Sequence, residues 1–449
     1  MNYLFEKVDN TKLVLFRILF GILMMAECWG AIFTGWVKKT FVDVDFTFNF
    51  IGFEWTQVLL GDTMYGIYIA MGFLGLLIML GAFYRFSTIS LFLLWTLTYL
   101  MQKSNYNNHY YFLVWVCFLM AVVPANKYYS VDASLNRKKA SETAPRWTII
   151  IFKIQVAILY FFAAIAKLYP GWLEHRYLPI RLNNSSQWFA NTEYFSWVAP
   201  YLRMPELAEI LAYSGIAFDF LIVPLLMIKQ TRKVAFILAL IFHIFNSITL
   251  QVGIFPYLAL AMSLFFFNSE TIKKVVFPFK RRSLIPEERY EKPYYRNFVT
   301  YTVIILTLWQ IYLPLRHWLI KDDVLWTEEG HRMAWRMMLR TKSGHIDFET
   351  HLPNGQIINE DVYEFLRPHQ VYGLQTKPDF IWQYAQELKR RYKEKGFDSI
   401  QVFAKNSTLS INGGPYHPFI NPEVDLANVK WSYFGHQEWI LPSPKNYYE

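Results

Sequence analysis

Several short stretches place ionisable or hydrogen-bonding side chains inside otherwise apolar sequence. Lys167 stands in YFFAAIAKLYPGW, His109 follows two asparagines in NNHYYF, and His243 and Asn246 share FHIFNSITLQVGIFPY with Phe255. Glu27 lies beside Cys28, and Asp219 lies in another apolar run. An amine held in an apolar pocket is poorly solvated as the ammonium, so its pKa falls and the neutral form can act as a base. A nearby imidazole can orient or stabilise a phenolate oxygen through hydrogen bonds. His243 and Asn246 are three positions apart and share one helix face. Structural readings compete with each of these. Lys167 reads equally as a lysine snorkelling to the membrane interface, NNH as a helix-capping turn, and His243 with Asn246 as a hydrogen-bonded pair joining two helices. Glu27 and Asp219 read as structural partners for a cation.

Other chemistries find less support. The histidines come singly, without the spacing of a zinc or iron site, and Cys28 and Cys117 both lie in apolar blocks, so no metal is expected. No Walker A loop, dinucleotide fingerprint or GxSxG elbow occurs.

The elements that must position these residues are membrane helices. The 449 residues are 54% hydrophobic and only 18% charged, and the apolar residues come in long blocks. A bilayer core of about 30 Å needs about 20 apolar residues as helix. Nine candidate spans result, at 11–33, 64–84, 86–102, 109–125, 148–168, 208–228, 234–250, 252–268 and 298–316. The net charge of +9 sits mainly in short runs between blocks, which suits basic cytoplasmic loops and argues against a nucleic-acid partner. With the N-terminus cytoplasmic, NRKKA with Arg146, KQTRK and KKVVFPFKRR all fall on the inner side. His109, Lys167 and the His243–Asn246 pair then come out together in the outer half of the membrane. Nine spans leave the C-terminal region outside.

The expected fold is therefore mainly α. A polytopic membrane helix bundle of about nine spans, residues 1–319, is followed by a small extracytoplasmic α+β domain, residues 320–449. Within the latter, 345–351 and 356–359 flank a PNG turn as a hairpin, PDFIWQYAQELKRRYKEKG from Pro378 to Gly396 reads as a helix, and SIQVFAKNSTLSI alternates like a strand. The expected setting is a multi-pass protein of a bacterial inner membrane, or of the ER membrane in a eukaryote, with the lipid bilayer as its first partner.

NNHYYF ahead of an apolar span, FFAAIAKLYPGW closing the next, and FHIFNSITLQVGIFPYLALA later, in this order, resemble the vitamin K-dependent γ-glutamyl carboxylases and the wider group of HTTM-domain membrane proteins. LWTEEGHRMAWRMMLRTKSG resembles the segment after that family's last span. The resemblance covers about residues 8–345. It implies an enzyme that takes reduced vitamin K, a hydroquinone with an isoprenoid tail, together with O2 and CO2, and no metal. Lys167 would deprotonate the hydroquinone, and the strong base made with O2 would remove the γ-proton of a glutamate in a protein or peptide substrate. CO2 then adds at the carbanion and the quinone leaves as its epoxide. By the same resemblance, Lys167 and His109 are the catalytic candidates, Asn108, His243, Asn246 and Phe255 lie at the cofactor, and His331, Arg340 and Lys342 hold the substrate carboxylate. The chain departs from the animal enzymes at Pro256, where they carry a serine, and at Arg340 and Lys342, where the family has His and Arg. Two alternatives stand beside this reading: a quinol epoxidase of the same family that does not carboxylate protein, and a non-enzymatic transporter or lipid-binding membrane protein.

Overall fold

A computed structural model describes residues 2–174, 176–276 and 293–447. It is mainly helical, and its apolar helices are gathered before residue 320. The strand β1 (Lys7–Asp9) precedes α1 (Thr11–Phe33). Helix α2 (Thr63–Leu80) packs on α1 through glycine. A Cβ on Gly21 would lie 2.6 Å from the Gly75 carbonyl oxygen, and one on Gly75 would lie 2.8 Å from the Met25 nitrogen. Small residues thus bring the two backbones into direct contact, as helices in lipid commonly require. Gly81, with φ +65°, ends α2, and α3 (Tyr84–Met101) returns beside it. Helix α4 (Asn108–Val122) follows the polar turn, and β2 (Thr143–Pro145) pairs antiparallel with β1. Helix α5 (Trp147–Ala166) is the most buried of the long apolar helices. Then come α6 (Tyr177–Ala190), α7 (Pro205–Met227), α8 (Arg232–Thr249), α9 (Phe255–Ser263) and α10 (Arg296–Leu315).

Six helices are long and apolar enough to cross a membrane, against the nine spans expected: α1, α2, α5, α7, α8 and α10 with its extension to Leu319. The other three expected spans form helices, but α4 and the Phe255–Phe266 stretch are shorter. At 1.5 Å per residue, the 15 residues of α4 reach about 22 Å, less than a hydrocarbon core. Flanking apolar residues made these spans look longer in sequence, but they fold into turns.

The basic residues expected on one side do gather at one end. Arg146 pairs with Glu6, Lys273 with Asp9, and Lys12 reaches the Phe265 carbonyl. Lys280, Arg281 and Arg282 of the KKVVFPFKRR run lie outside the described residues.

Past α10 the chain builds a four-stranded antiparallel sheet of order β4-β3-β5-β6, from β3 (Lys342–His351), β4 (Ile357–Asn359), β5 (Gln401–Ile411) and β6 (His417–Pro418). The expected hairpin is present, with Glu349 opposite Asn359 and Gly355 at φ +85° in its turn. Between β4 and β5 lie α11 (Pro368–Thr376) and α12 (Pro378–Glu394). Helix α12 buries Phe380, Ile381, Tyr384, Ala385 and Leu388, one apolar stripe at helical spacing, and Gly396 follows its end at φ +91°. This layer docks on the loops that join α1 to α2 and α3 to α4. Phe48 stacks on Phe380 with centroids 4.3 Å apart, Gln370 Nε2 donates to the Phe46 carbonyl at 2.6 Å, and Gln383 Nε2 donates to that of Asn49 at 3.0 Å. Lys103 forms a buried ion pair with Asp379, which Arg332 also meets at 2.9 Å.

Candidate functional site

At the end of the bundle opposite the basic cluster lies a cavity of about 100 Å³. Its walls are the C-terminal ends of α5 and α8, the interior of α7, the starts of α4, α6 and α9, and Met337 and Met338 from the segment after α10. Room of that size holds several waters or one flat organic ring system. Lys167, His109, His243, Asn246 and Phe255 all line it. Their separation in sequence is resolved by helix ends meeting at one depth.

Lys167 caps the C-terminal end of α5, and 8% of it is exposed. Its Nζ donates to Asp219 Oδ2 at 2.5 Å and to the Ala163 carbonyl at 3.1 Å, and lies 5.5 Å from the Trp172 ring centroid. Asp219, read from the sequence as a structural partner for a cation, is thus paired with Lys167. An ionisable side chain at this depth is very costly unless paired, and Asp219, in the middle of α7, supplies the pairing. The carboxylate stands directly against the amine, and both border the cavity. Among the described residues Glu27 meets no such cation; it accepts from the Tyr110 hydroxyl at 2.9 Å.

His109 stacks on Phe255, with ring centroids 4.4 Å apart and planes 22° apart. His243 meets the same Phe255 edge-on at 5.7 Å. His243 Nε2 is hydrogen-bonded to the Tyr160 hydroxyl at 2.7 Å, while its buried Nδ1 has no partner among the described residues. Tyr160 sits seven residues before Lys167, two turns along the same face of α5, and that spacing could have flagged it from sequence. Trp172, Tyr177, Met337 and Met338 carried no comparable signal.

Asn108 does not line this cavity. Its Nδ2 donates to the Arg336 carbonyl at 3.0 Å, and its Oδ1 accepts from the Tyr106 hydroxyl at 3.0 Å. Asn107 is the helix cap, accepting from the Tyr110 amide at 2.7 Å. The polar turn is thus divided in use: Lys103 ties down α12, Asn107 starts α4, Asn108 holds the chain near Arg336, and His109 faces the cavity.

The held segment, residues 328–340, runs over the cavity. Met333, Trp335 and Met338 all have φ between 51° and 61°, a left-handed backbone that bulky residues seldom adopt. It persists because membrane-side groups clamp it. Tyr106 accepts from the Met333 amide at 2.7 Å, Tyr169 donates to the Leu339 carbonyl, and Arg316 donates to that of Arg332.

His331, Arg340 and Lys342 do converge, but on Glu328. Arg340 Nε donates to Glu328 Oε1 at 2.9 Å and its Nη2 also reaches that carboxylate, while Lys342 Nζ lies 2.6 Å from Oε1. Burial alone would raise the Glu328 carboxyl, but Arg340 and Lys342 hold it well below the usual carboxylate range. Arg340 Nη1 lies 3.0 Å from His331 Nε2. A guanidinium can only donate, so Nε2 accepts and the ring is neutral. Burial, with Arg340 beside it, puts His331 well below the ordinary histidine value. Glu328 was not singled out in the sequence; its signal is an acid just ahead of a run of cations.

Among the described residues no group of three or more His, Cys, Asp or Glu side chains could hold a metal ion. The donor set suits instead an organic ligand with hydroxyl or carbonyl oxygens. His243 Nδ1 is a buried polar atom without a partner among the described residues, and Phe255, Phe242 and Tyr177 offer aromatic walls.

Residues 5–270 match the HTTM domain, and residues 295–446 match the lumenal domain of vitamin K-dependent gamma-carboxylase. No solved structure matches the chain. Two adjoining matches that span the helices, the cavity and the C-terminal sheet establish that this chain belongs to the vitamin K-dependent gamma-carboxylase family of HTTM-domain membrane proteins.

Proposed function

We propose that the chain oxidises a vitamin K-type hydroquinone to its epoxide with O2 and couples this to addition of CO2 at the γ-carbon of a glutamate in a protein or peptide. The observation that carries the reading is the convergence, in one largely apolar cavity, of the Lys167–Asp219 pair with two imidazoles on either side of Phe255. When bound, the hydroquinone supplies, with O2, the base strength that removal of a γ-proton demands. Lys167 takes a phenolic proton, and Asp219 balances the charge on the amine. His109 and His243 hold the quinol oxygens, the second oriented by Tyr160, with Asn246 one turn further along α8. Leu178, Leu182 and Leu211 give an apolar path for the isoprenoid tail. Burial at a helix end excludes water that would quench a strong base. Arg340, Lys342 and His331 are the carboxylate-binding groups on the acceptor side. The basic end of the bundle faces the cytoplasm and the sheet lies outside, in keeping with the bias of Lys and Arg toward cytoplasmic loops.

A second reading, quinol epoxidation without protein carboxylation, is favoured by one observation. Arg340 and Lys342 are already engaged by Glu328. One experiment separates the two. Membranes containing the protein receive reduced vitamin K, O2, labelled bicarbonate and a glutamate-containing peptide. Epoxide together with label in the peptide is the expected result. Epoxide without label supports the second reading, and neither product refutes both.

A further inference from the structure

On the far side of the 328–340 segment from the quinol cavity lies a second, larger cavity, an open cleft of about 490 Å³. Trp309 and Tyr312 of α10 form one side, and Trp431 and Tyr433 the other. Tyr433 and Phe434 are exposed at its rim. Aromatic side chains opposed across a wet cleft suit an extended peptide with apolar neighbours. The charges of the lining are unevenly matched. Asp379 is taken by Lys103 and Arg332, and Glu329 accepts from His436 Nδ1 and the Gln437 amide, each at 2.8 Å. Arg316 meets only the carbonyls of Leu313 and Arg332 among the described residues. Behind the wall, Arg340 and Lys342 set two positive charges against the single carboxylate of Glu328.

Glu328 lines the cleft, whereas Arg340 and Lys342 do not. A carboxylate arriving from the cleft therefore meets Glu328 before it meets the cations. Glu328 also stands at φ +63°, directly after the short helix Val324–Thr327, with Gly330 at φ +76° two residues on. The left-handed backbone is unfavourable for a residue with a Cβ, so this turn gains conformational freedom when the ion pairs let go.

We infer that the cleft receives the acceptor peptide and that Glu328 is an internal carboxylate which the acceptor glutamate displaces from Arg340 and Lys342. The inference rests on the acceptor role proposed above. Glu328 then sets specificity: a side chain must carry a carboxylate, and must bring flanking apolar contacts, to compete with one tethered in place. A free carboxylate of low affinity is shut out.

The test uses the full-length protein in lipid nanodiscs and a dye-labelled short peptide bearing one Glu between apolar residues, with its Gln counterpart as control. Binding is read by fluorescence polarisation, with no turnover required. Glu328→Gln is expected to bind the Glu peptide about tenfold more tightly than the unaltered protein, with the Gln peptide weak in both. Tyr433→Ala is expected to weaken the Glu peptide several-fold in either background. A second measurement guards against loss of fold: millimolar acetate raises the melting temperature of Glu328→Ala by several degrees and leaves the unaltered protein unmoved. Equal or weaker Glu-peptide binding by Glu328→Gln, or no acetate effect, overturns the inference. Failure of both variants to fold also overturns it, because Glu328 is then a structural ion-pair partner. If the unaltered protein forms neither epoxide nor labelled peptide, the catalytic reading fails on its own, and these binding results still decide the part played by Glu328.

Discussion

Two of the buried charge clusters among the described residues have opposite designs. At the quinol cavity, one amine faces one carboxylate, and both border open space. Where the two ends of the 328–340 segment meet, one carboxylate is gripped by two cations, with a neutral imidazole accepting from one of them. In the one-to-one pair the amine has a single counter-charge beside it and borders the open cavity. A two-to-one cluster is locked, because its carboxylate cannot be protonated without leaving two cations uncompensated. The first design suits proton transfer and the second suits recognition of an anion.

Substitutions break this contrast in order of size. Lys167→Ala removes the proton acceptor and is expected to lower epoxide formation by about 10³-fold at neutral pH, the scale of a lost general base, while quinol binding holds within a few-fold. Turnover near the unaltered rate would refute the assigned role. Asp219→Asn leaves the amine but not its counter-charge. It is expected to slow epoxide formation by about 10²-fold and, as the broken half of a buried pair, to cost about 3–5 kcal/mol of stability, read as a fall in melting temperature.

The locked cluster carries a pH signature instead. The folded His331 value lies below the unfolded one, so the unfolded chain binds that proton first and stability falls as pH drops below about 6.5. Between pH 7.5 and 5 the share of the loss due to His331 is expected to be about 2 kcal/mol, the part that His331→Gln removes. Glu328 has the same sense in a lower window: its contribution is complete above the ordinary carboxylate range and is lost as pH falls below it. A melting temperature that is flat in pH for the unaltered protein would contradict a buried neutral His331. Asn108→Ala has the smallest effect. It loses the hydrogen bond that holds the Arg336 carbonyl and is expected to cost about 1 kcal/mol, with epoxide formation reduced far less than by Lys167→Ala. A rate loss equal to that of Lys167→Ala would place Asn108 at the quinol after all.

Sequence disclosed the first cluster far better than the second, for a physical reason. Lys167, His109 and His243 stand out because lipid-depth sequence tolerates few ionisable groups, so each is conspicuous singly. Their convergence follows once the spans are counted from a common side. Asp219 was visible as an oddity, yet its partner lies 52 positions away and only the packing of α7 on α5 reveals it. Asn107 and Asn108 look equivalent in a row of letters. One caps a helix and the other clamps a chain 228 positions distant, a difference that exists only in three dimensions. The 328–340 segment is least legible. Its path is set by clamps from four side chains in three separate places, against the backbone preference of Met333, Trp335 and Met338. The hairpin, α12 and β5 were legible because turn glycines and apolar periodicity are local.

The most direct test of the central claim is photolabelling of the protein in nanodiscs with a light-activated vitamin K analogue, followed by peptide mapping. Label is expected on Met337 and Met338 and between Phe242 and Phe255, and an excess of unmodified vitamin K should suppress it. Label confined to the aromatic cleft beyond Glu328, or spread over the outward faces of the helices without competition, would contradict the placement of the quinol beside Lys167 and Asp219.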